Sequence, residues 1–200
     1  MSELTSFAAL DTAPHGSWKD GLCGCFKFGI FHPSLLLACC CPQILMGQIL
    51  TRMRMNWLGF PAPEMEWHLT FRRIVIIVIV YYVLSSILQP PGPDVIMAED
   101  GTVTVIPNDG PLWQSLLYNM LTTAFVLYTV VVLMRLRSSV RARYEIPTQH
   151  CGNMEDCCCA FFCGCCTVSQ LARQTTNYDE IRAVCCTDTG LPPTMQTIIV

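Results

Sequence analysis

The chain has 200 residues, of which 52% are hydrophobic and 14% carry a charged side chain. Soluble domains carry about 25% charged residues, so this composition argues against a disordered chain and against an ordinary soluble enzyme. The net charge of −3 gives no bulk attraction to polyanions, which argues against nucleic-acid binding. The length allows one domain or two small ones.

The first predicted segments are a polar tail over residues 1–17 and a cysteine-rich block over residues 18–73. The tail lacks the basic start and apolar run of a signal peptide, so we expect the first span to act as its own insertion signal. The block holds five cysteines: Cys23, Cys25, Cys39, Cys40 and Cys41. Prolines and glutamines interrupt its apolar stretch, which favours helices that lie in the membrane interface or pack under the spans.

Two apolar runs without a charge, residues 74–88 and 112–134, predict transmembrane helices. At about 1.5 Å per residue the second run is long enough to cross the roughly 30 Å hydrocarbon core. The first is shorter, and Arg72 and Arg73 would extend it by placing their charges at the interface. The competing interpretation is a pair of buried helices in a soluble protein.

The connecting segment, residues 89–111, contains no lysine or arginine, although eight of the 12 basic residues flank the outer ends of the two runs. These eight are Arg52, Arg54, Arg72, Arg73, Arg135, Arg137, Arg141 and Arg143. The positive-inside rule then places both termini in the cytoplasm and the loop outside. Within the loop, the alternation over residues 102–106 predicts a short strand, and residues 107–111 have turn chemistry.

A second cysteine-rich block follows over residues 135–187, before a C-terminal tail over residues 188–200. Its nine cysteines are Cys151, Cys157, Cys158, Cys159, Cys163, Cys165, Cys166, Cys185 and Cys186. All 14 cysteines thus lie on the predicted cytoplasmic side, where thiols stay reduced. A disulfide scaffold is therefore not expected. Metal binding, acylation, redox chemistry and simple packing remain open.

The spacing of some cysteines is compatible with a soft metal ion, although no complete zinc-ligand framework is present. The predicted ligands of zinc or another soft divalent cation are Cys39, Cys40, Cys41, Cys163, Cys165 and Cys166. Three adjacent cysteines cannot all point at one ion from a helix. Acylation near the membrane face and packing as small apolar side chains are the alternatives.

Polar residues within the helices suggest either helix contacts or a polar path. Ser115, Asn119 and Thr122 share one face of the second run, while Gln48 and Gln170 each follow a cysteine by seven residues. They could bond neighbouring helices, or line a path and orient a bound ion. Two helices cannot enclose a pathway, so a transporter must be a homo-oligomer. No catalytic motif is present, and we expect no enzymatic activity.

Two groups of motifs resemble the cysteine-rich membrane family of cornifelin, placenta-specific protein eight, plant cadmium-resistance proteins and cell-number regulators. The first group is Trp18-Lys19-Asp20-Gly21-Leu22-Cys23-Gly24-Cys25-Phe26 with Cys39-Cys40-Cys41-Pro42-Gln43-Ile44-Leu45-Met46-Gly47-Gln48. The second is Arg141-Ala142-Arg143-Tyr144, Asp156-Cys157-Cys158 and Cys163-Gly164-Cys165-Cys166-Thr167-Val168-Ser169-Gln170-Leu171-Ala172-Arg173-Gln174.

The resemblance implies a small integral membrane protein, often of the plasma membrane, with roles in metal tolerance, cell-number control or calcium permeation. One departure from the family pattern weakens the assignment of metal binding. Gln43 follows Cys41-Pro42 here, whereas the pattern of members tied to metal resistance is Cys-Pro-Cys. Leu35 and Leu36 stand where those members have a cysteine pair.

We therefore expect a mainly α, integral membrane two-helix hairpin, with two cytoplasmic cysteine-rich lobes packed together at the membrane face. Its membrane would be the plasma membrane or that of an organelle. The leading hypothesis for function is divalent or heavy-metal cation homeostasis, as an oligomeric transporter or channel. The alternative is a non-transporting structural or regulatory subunit, with acylated or packed cysteines, in a larger membrane complex.

Overall fold

A computed structural model describes residues 13–92, 94–97, 103–106, 110–148, 152 and 154–193. Its helices are α1 (Pro33–Cys40), α2 (Pro42–Arg52), α3 (Glu64–Trp67), α4 (Thr70–Leu88), α5 (Leu112–Arg143), α6 (Met154–Phe162) and α7 (Gly164–Gln174). A 3-10 turn covers Gly24–Phe26, and two short strands are β1 (Asp94–Met97) and β2 (Val103–Ile106). The prediction of a mainly α chain is confirmed.

The chain divides into two compact units. The lobe comprises Met1–Ile76 and Thr129–Val200, and the hairpin unit comprises Ile77–Tyr128. Both cysteine-rich blocks of the sequence therefore belong to the same folded unit, although more than fifty residues separate them along the chain. The start of α4, as far as Ile76, and the last part of α5, from Thr129, also belong to the lobe.

Two prolines divide the N-terminal block into α1 and α2. Pro33 and Pro42 each stand at the start of a helix, where the missing N–H would have no partner in any case. Between the helices Cys41 leaves the helical conformation, with φ −144° and ψ 65°. His32 caps α1 by accepting a hydrogen bond from the Ser34 N–H. Pro42, which interrupts the apolar run, thus starts a new helix after the corner at Cys41.

The core of the lobe forms where α2 packs against α7, with α1 against both. The fully buried residues of α2 and α7 include Leu45, Met46, Ile49, Leu50, Leu171 and Ala172. Gly47 lets α2 approach α4 closely, since a Cβ atom at this position would lie 3.3 Å from Ile74 Cδ1. Near the start of α7, a Cβ on Gly164 would lie 3.9 Å from Leu133 of α5.

Within the hairpin unit, the two long helices meet through aromatic rings. Tyr81 of α4 and Phe125 of α5 stack with centroids 3.8 Å apart. Near the other end Gln114 Nε2 donates to the Gln89 carbonyl at 3.2 Å. Strands β1 and β2 pair antiparallel, with Asp94 opposite Ile106. The predicted strand corresponds to β2; Thr102 and residues 107–109 of the predicted turn lie outside the described residues.

Both long helices are apolar and long enough to cross a membrane. The span that includes α4 covers Glu64–Leu88; over the most apolar window of each helix the mean hydropathy is 2.0 in this span and 1.9 in α5. Only 11% of each window is buried. Core helices of soluble proteins are mostly buried, so this exposure argues against the soluble interpretation. Both helices extend past the uncharged runs, since α4 starts at Thr70 and α5 continues to Arg143.

Candidate functional site in the cysteine-rich lobe

Arg137 of α5 lies buried at the centre of the lobe, where it joins α5 to α6 and α7. Its Nε donates to Asp156 Oδ1 at 3.0 Å, and its Nη1 donates to Gln170 Oε1 at 2.8 Å. Glu155 accepts from its Nη2 at 3.3 Å. The guanidinium also lies 4.6 Å from the centre of the Trp18 ring, which adds a cation–π contact. A single side chain thus holds segments from both cysteine-rich blocks.

Residues of the first motif dock on α7 through a second group of polar contacts. Arg173 Nε lies 3.3 Å from Asp20 Oδ2, and Arg173 Nη1 donates to Ser169 Oγ at 2.7 Å. Gln170 Nε2 donates to the Asp20 carbonyl at 3.0 Å. The Lys19 N–H donates to Gln174 Oε1 at 2.7 Å. Hydrogen bonds and an ion pair therefore connect the motif residues around Asp20 to those around Gln170.

The second predicted glutamine, Gln48 of α2, holds the loop that follows α7. Its Nε2 donates to the carbonyls of Cys185 and Thr187 at 2.8 and 2.9 Å. One turn further along α2, the buried Arg52 donates from Nη1 to the Thr176 hydroxyl. Both Gln48 and Gln170 thus bond to protein groups inside the lobe, and these bonds explain why polar side chains are buried there.

Four cysteines from three separate segments come together in the lobe; we call them the thiol cluster. Cys165 and Cys166 begin α7, and their Sγ atoms lie 4.0 Å apart. Cys25 of the 3-10 turn lies close enough to Cys166 to raise the pKa of that thiol. Cys39, near the end of α1, interacts electrostatically with Cys165 and Cys25. Three of the six predicted ligands are therefore in this cluster.

Two thiols of the cluster, Cys39 and Cys166, have a raised pKa. Desolvation and the neighbouring thiols Cys165 and Cys25 raise the pKa of Cys166 to about 12. Desolvation, and then the nearby Cys165, Cys40 and Cys25, also raise the pKa of Cys39. A thiol must lose its proton to bind a metal, so capture of a cation by this cluster would release protons.

A resident zinc ion does not fit the cluster as it stands. No group of three or more His, Cys, Asp or Glu side chains is arranged to hold a metal ion anywhere in the part of the chain that the structure describes. Cys163 neighbours Cys159 instead, and Cys41 lies at the corner between α1 and α2. Cys40 interacts with Cys39. Cys151 lies outside the described residues.

The predicted polar stripe of α5 belongs to the hairpin unit. Asn119 is exposed and Ser115 is half-buried, while the Thr122 hydroxyl oxygen is buried without a hydrogen-bond partner among the described residues. On α4, the Ser85 and Ser86 hydroxyls donate to the Tyr82 carbonyl of their own helix. These serines satisfy their hydrogen bonds locally, as hydroxyls in an apolar environment must.

Several residues of the lobe were not among the predicted site residues. They are the half-buried Asp20 and the buried charges Arg52, Arg137, Asp156 and Arg173, together with Cys25 of the thiol cluster. The sequence contained a signal for two of them. Asp20 lies within the Trp18 motif, and Arg173 directly follows Gln170-Leu171-Ala172 in the second group of motifs. Charged residues in an otherwise apolar motif are typical of a buried ion pair.

The sequence of this chain also matches a known protein family. The model of the PLAC8 family matches residues 18–174, which include the first cysteine-rich block, both long helices and the second block as far as Gln174. The comparisons with curated proteins and with solved structures gave no significant match. The matched segment runs from the start of the Trp18 motif to Gln174, the last residue of α7. Since it covers most of the chain, the protein belongs to the PLAC8 family.

Proposed function

We propose that this protein is an integral membrane protein that captures soft divalent cations, such as zinc or cadmium, at the cytoplasmic face of its membrane. The observation that carries the proposal is the thiol cluster, in which Cys25, Cys39, Cys165 and Cys166 meet from three segments. Thiolates are the preferred protein ligands of soft cations. The cation is cargo here, and not a resident cofactor.

The two long helices support membrane insertion with both cysteine-rich blocks on one side. Their apolar windows are 11% buried, and the lobe contains residues that precede α4 as well as residues that follow α5. A hairpin that crosses the bilayer twice keeps these residues on the same face. The arginines beyond the ends of the apolar runs favour the cytoplasm for that face.

Transport would require several copies of the chain. Two helices do not enclose a path, and the membrane-crossing runs contain no charged residue. Copies would have to line a path with hydroxyl and amide groups, for which the α5 stripe with Asn119 and Thr122 is the available source. The membrane of residence is proposed to be the plasma membrane or that of an organelle.

A cadmium titration of the purified, reduced full-length protein tests the proposal. We expect Cd²⁺ to produce thiolate-to-metal absorbance that strengthens as the pH is raised, because the cluster thiols must lose their protons. The Cys165→Ser/Cys166→Ser variant should lose this absorbance. The Cys185→Ser/Cys186→Ser variant, which changes two thiols of the loop after α7, should keep it.

Two results would contradict cation capture. One is a folded wild-type protein that gives no thiolate absorbance, and the other is an equal loss of absorbance in both double variants. Cd²⁺ uptake into vesicles that contain the protein then separates transport from capture alone. Uptake should fall in the Cys165→Ser/Cys166→Ser variant.

A second candidate function is that of a non-transporting structural or regulatory subunit. The protonated thiols and the buried polar contacts around Arg137 favour it, since they describe a lobe built for internal cohesion. Its cysteines would be packed or acylated. A folded, membrane-inserted wild-type protein that binds no Cd²⁺ and carries none into vesicles would support this function over the first.

A further inference from the structure

Helix α6 turns its charged residues toward the inside of the lobe. Asp156 is 4% exposed, and its Oδ2 lies 2.9 Å from Arg141 Nη2. The neighbouring Glu155 pairs with Arg137. Ala160, one turn further along, is buried on the same side. Both acidic groups of this helix are therefore engaged by arginines of α5.

The opposite side of α6, which we call its outer face, is apolar and exposed. Met154, Phe161 and Phe162 expose 67%, 63% and 77% of their surface, and Cys158 is also exposed. Their spacing of four, seven and eight residues places them along one face of a helix. A helix at the surface of a soluble protein has the reverse arrangement, with apolar residues inside and charges outside.

The contacts of α6 and α7 place the end of this outer face beside the apolar part of α5. Asp156, in the first turn of α6, meets Arg137 and Arg141. At the other end of α6, Phe162 stands two residues before Gly164, whose Cβ position lies 3.9 Å from Leu133. Leu133 belongs to the uncharged run of residues 112–134. Thus α6 runs along α5 from the level of Arg137 and Arg141 toward Leu133, within the lobe.

We propose that the outer face of α6 lies in the interfacial layer of the same lipid bilayer that α4 and α5 cross. The proposal rests on the membrane insertion argued under Proposed function and extends it to the lobe. The exposed rings of Phe161 and Phe162 would insert among the lipid headgroups and the first acyl carbons, as apolar faces of interfacial helices do. The inward ion pairs with Arg137 and Arg141 keep the acidic groups away from lipid.

Photo-crosslinking of the full-length protein in phosphatidylcholine vesicles tests this placement. The photoreactive benzophenone analogue of phenylalanine replaces Phe162, and a radiolabelled phosphatidylcholine reports lipid adducts. The same analogue at the exposed Arg182 is the water-facing control of the lobe. At Ile79 of α4, which is 56% exposed, it reports insertion of the span.

We expect lipid adducts at Phe162 and Ile79, each about tenfold above Arg182, because adduct yield follows the local concentration of lipid. Adducts at Ile79 combined with protein dimers, or with no adduct, at Phe162 would overturn the placement of α6 but leave the insertion of the span intact. Lipid adducts at none of the three positions would overturn both. Thermal unfolding of each labelled variant verifies that the lobe is folded.

Discussion

Arg137 shows how single residues hold this lobe together. It lies on a helix that continues from the apolar run, yet its side chain is buried, and its partners come from α6, α7 and the N-terminal motif. A buried guanidinium is costly to desolvate unless hydrogen bonds and a counter-charge offset the cost. Asp156 and Glu155 provide that counter-charge.

Removal of this side chain gives the first stability prediction. Arg137→Ala leaves Glu155 without this cation and Asp156 with Arg141 alone, so we expect the lobe to lose about 3 kcal/mol of unfolding free energy. Arg143→Ala, an exposed arginine of the same helix, is the control and should change stability by less than about 0.5 kcal/mol. Thermal unfolding in detergent compares the two variants. Equal effects would contradict the role of Arg137.

The thiols illustrate a different residue-scale effect. Cys166 has its pKa raised to about 12 by desolvation and by neighbouring thiols, so it is neutral at physiological pH. A protonated thiol is both a poor nucleophile and a poor metal ligand. Cys166 can therefore persist as a packed neutral side chain, and cation capture that uses it must offset the free energy of its deprotonation. This requirement is the reason for the pH dependence expected in the cadmium titration.

At the scale of elements, α2 and the loop after α7 depend on each other through Gly190. Its φ of +71° is in the left-handed region, and a Cβ atom there would lie 2.7 Å from Gln48 Oε1. Gln48 holds the loop through the Cys185 and Thr187 carbonyls. The glycine thus provides both the backbone conformation and the space that this interaction needs.

The Gly190→Ala variant tests this dependence. We expect about 1 kcal/mol of backbone strain and a further loss of about 1–3 kcal/mol as Gln48 is displaced from its acceptors. Gly16→Ala, with φ +79° and open space around the Cβ position, should show the strain alone. Amide hydrogen exchange of residues 184–191 should accelerate only in Gly190→Ala. Unchanged exchange there would contradict the role of Gln48.

Elements governed by local sequence could be predicted, whereas those governed by distant partners could not. The two apolar helices follow from their uncharged runs, and the corner at Cys41 follows from Pro42. Helix α6 has no comparable local signal, because its orientation depends on Arg137 and Arg141, which precede their partner Asp156 by 19 and 15 residues. In the sequence these arginines counted as flanking charges for the positive-inside rule, since the sequence does not reveal which charges find buried partners.

The same distinction between local sequence and distant partners applies to the candidate site. The sequence predicted six cysteines as ligands, and the thiol cluster contains Cys39, Cys165 and Cys166 of these. Cys25 could not be selected, because its approach to Cys166 depends on how the 3-10 turn packs against α7. Gln48 and Gln170 were predicted to contact neighbouring helices or to line a polar path, and in the structure their acceptors lie on segments distant in the chain.

At the scale of the whole molecule, the central feature is that one folded lobe contains both ends of the matched family segment. Lys19 bonds Gln174, and Arg137 contacts Trp18, so the lobe closes only when chain segments on both sides of the two long helices meet. In a membrane, this closure requires an even number of crossings between those segments. A hairpin of α4 and α5 satisfies the requirement.

The most direct test is the sidedness of three epitope tags in sealed vesicles, each in a separate full-length variant. One tag precedes Met1, one follows Val200 and one is inserted after Asp100, between the two apolar helices. We expect a membrane-impermeant reagent to reach either the two terminal tags or the loop tag, but never both sets, in vesicles of one orientation. Terminal tags on opposite faces, or all three tags equally accessible, would contradict a single lobe joined to a membrane hairpin.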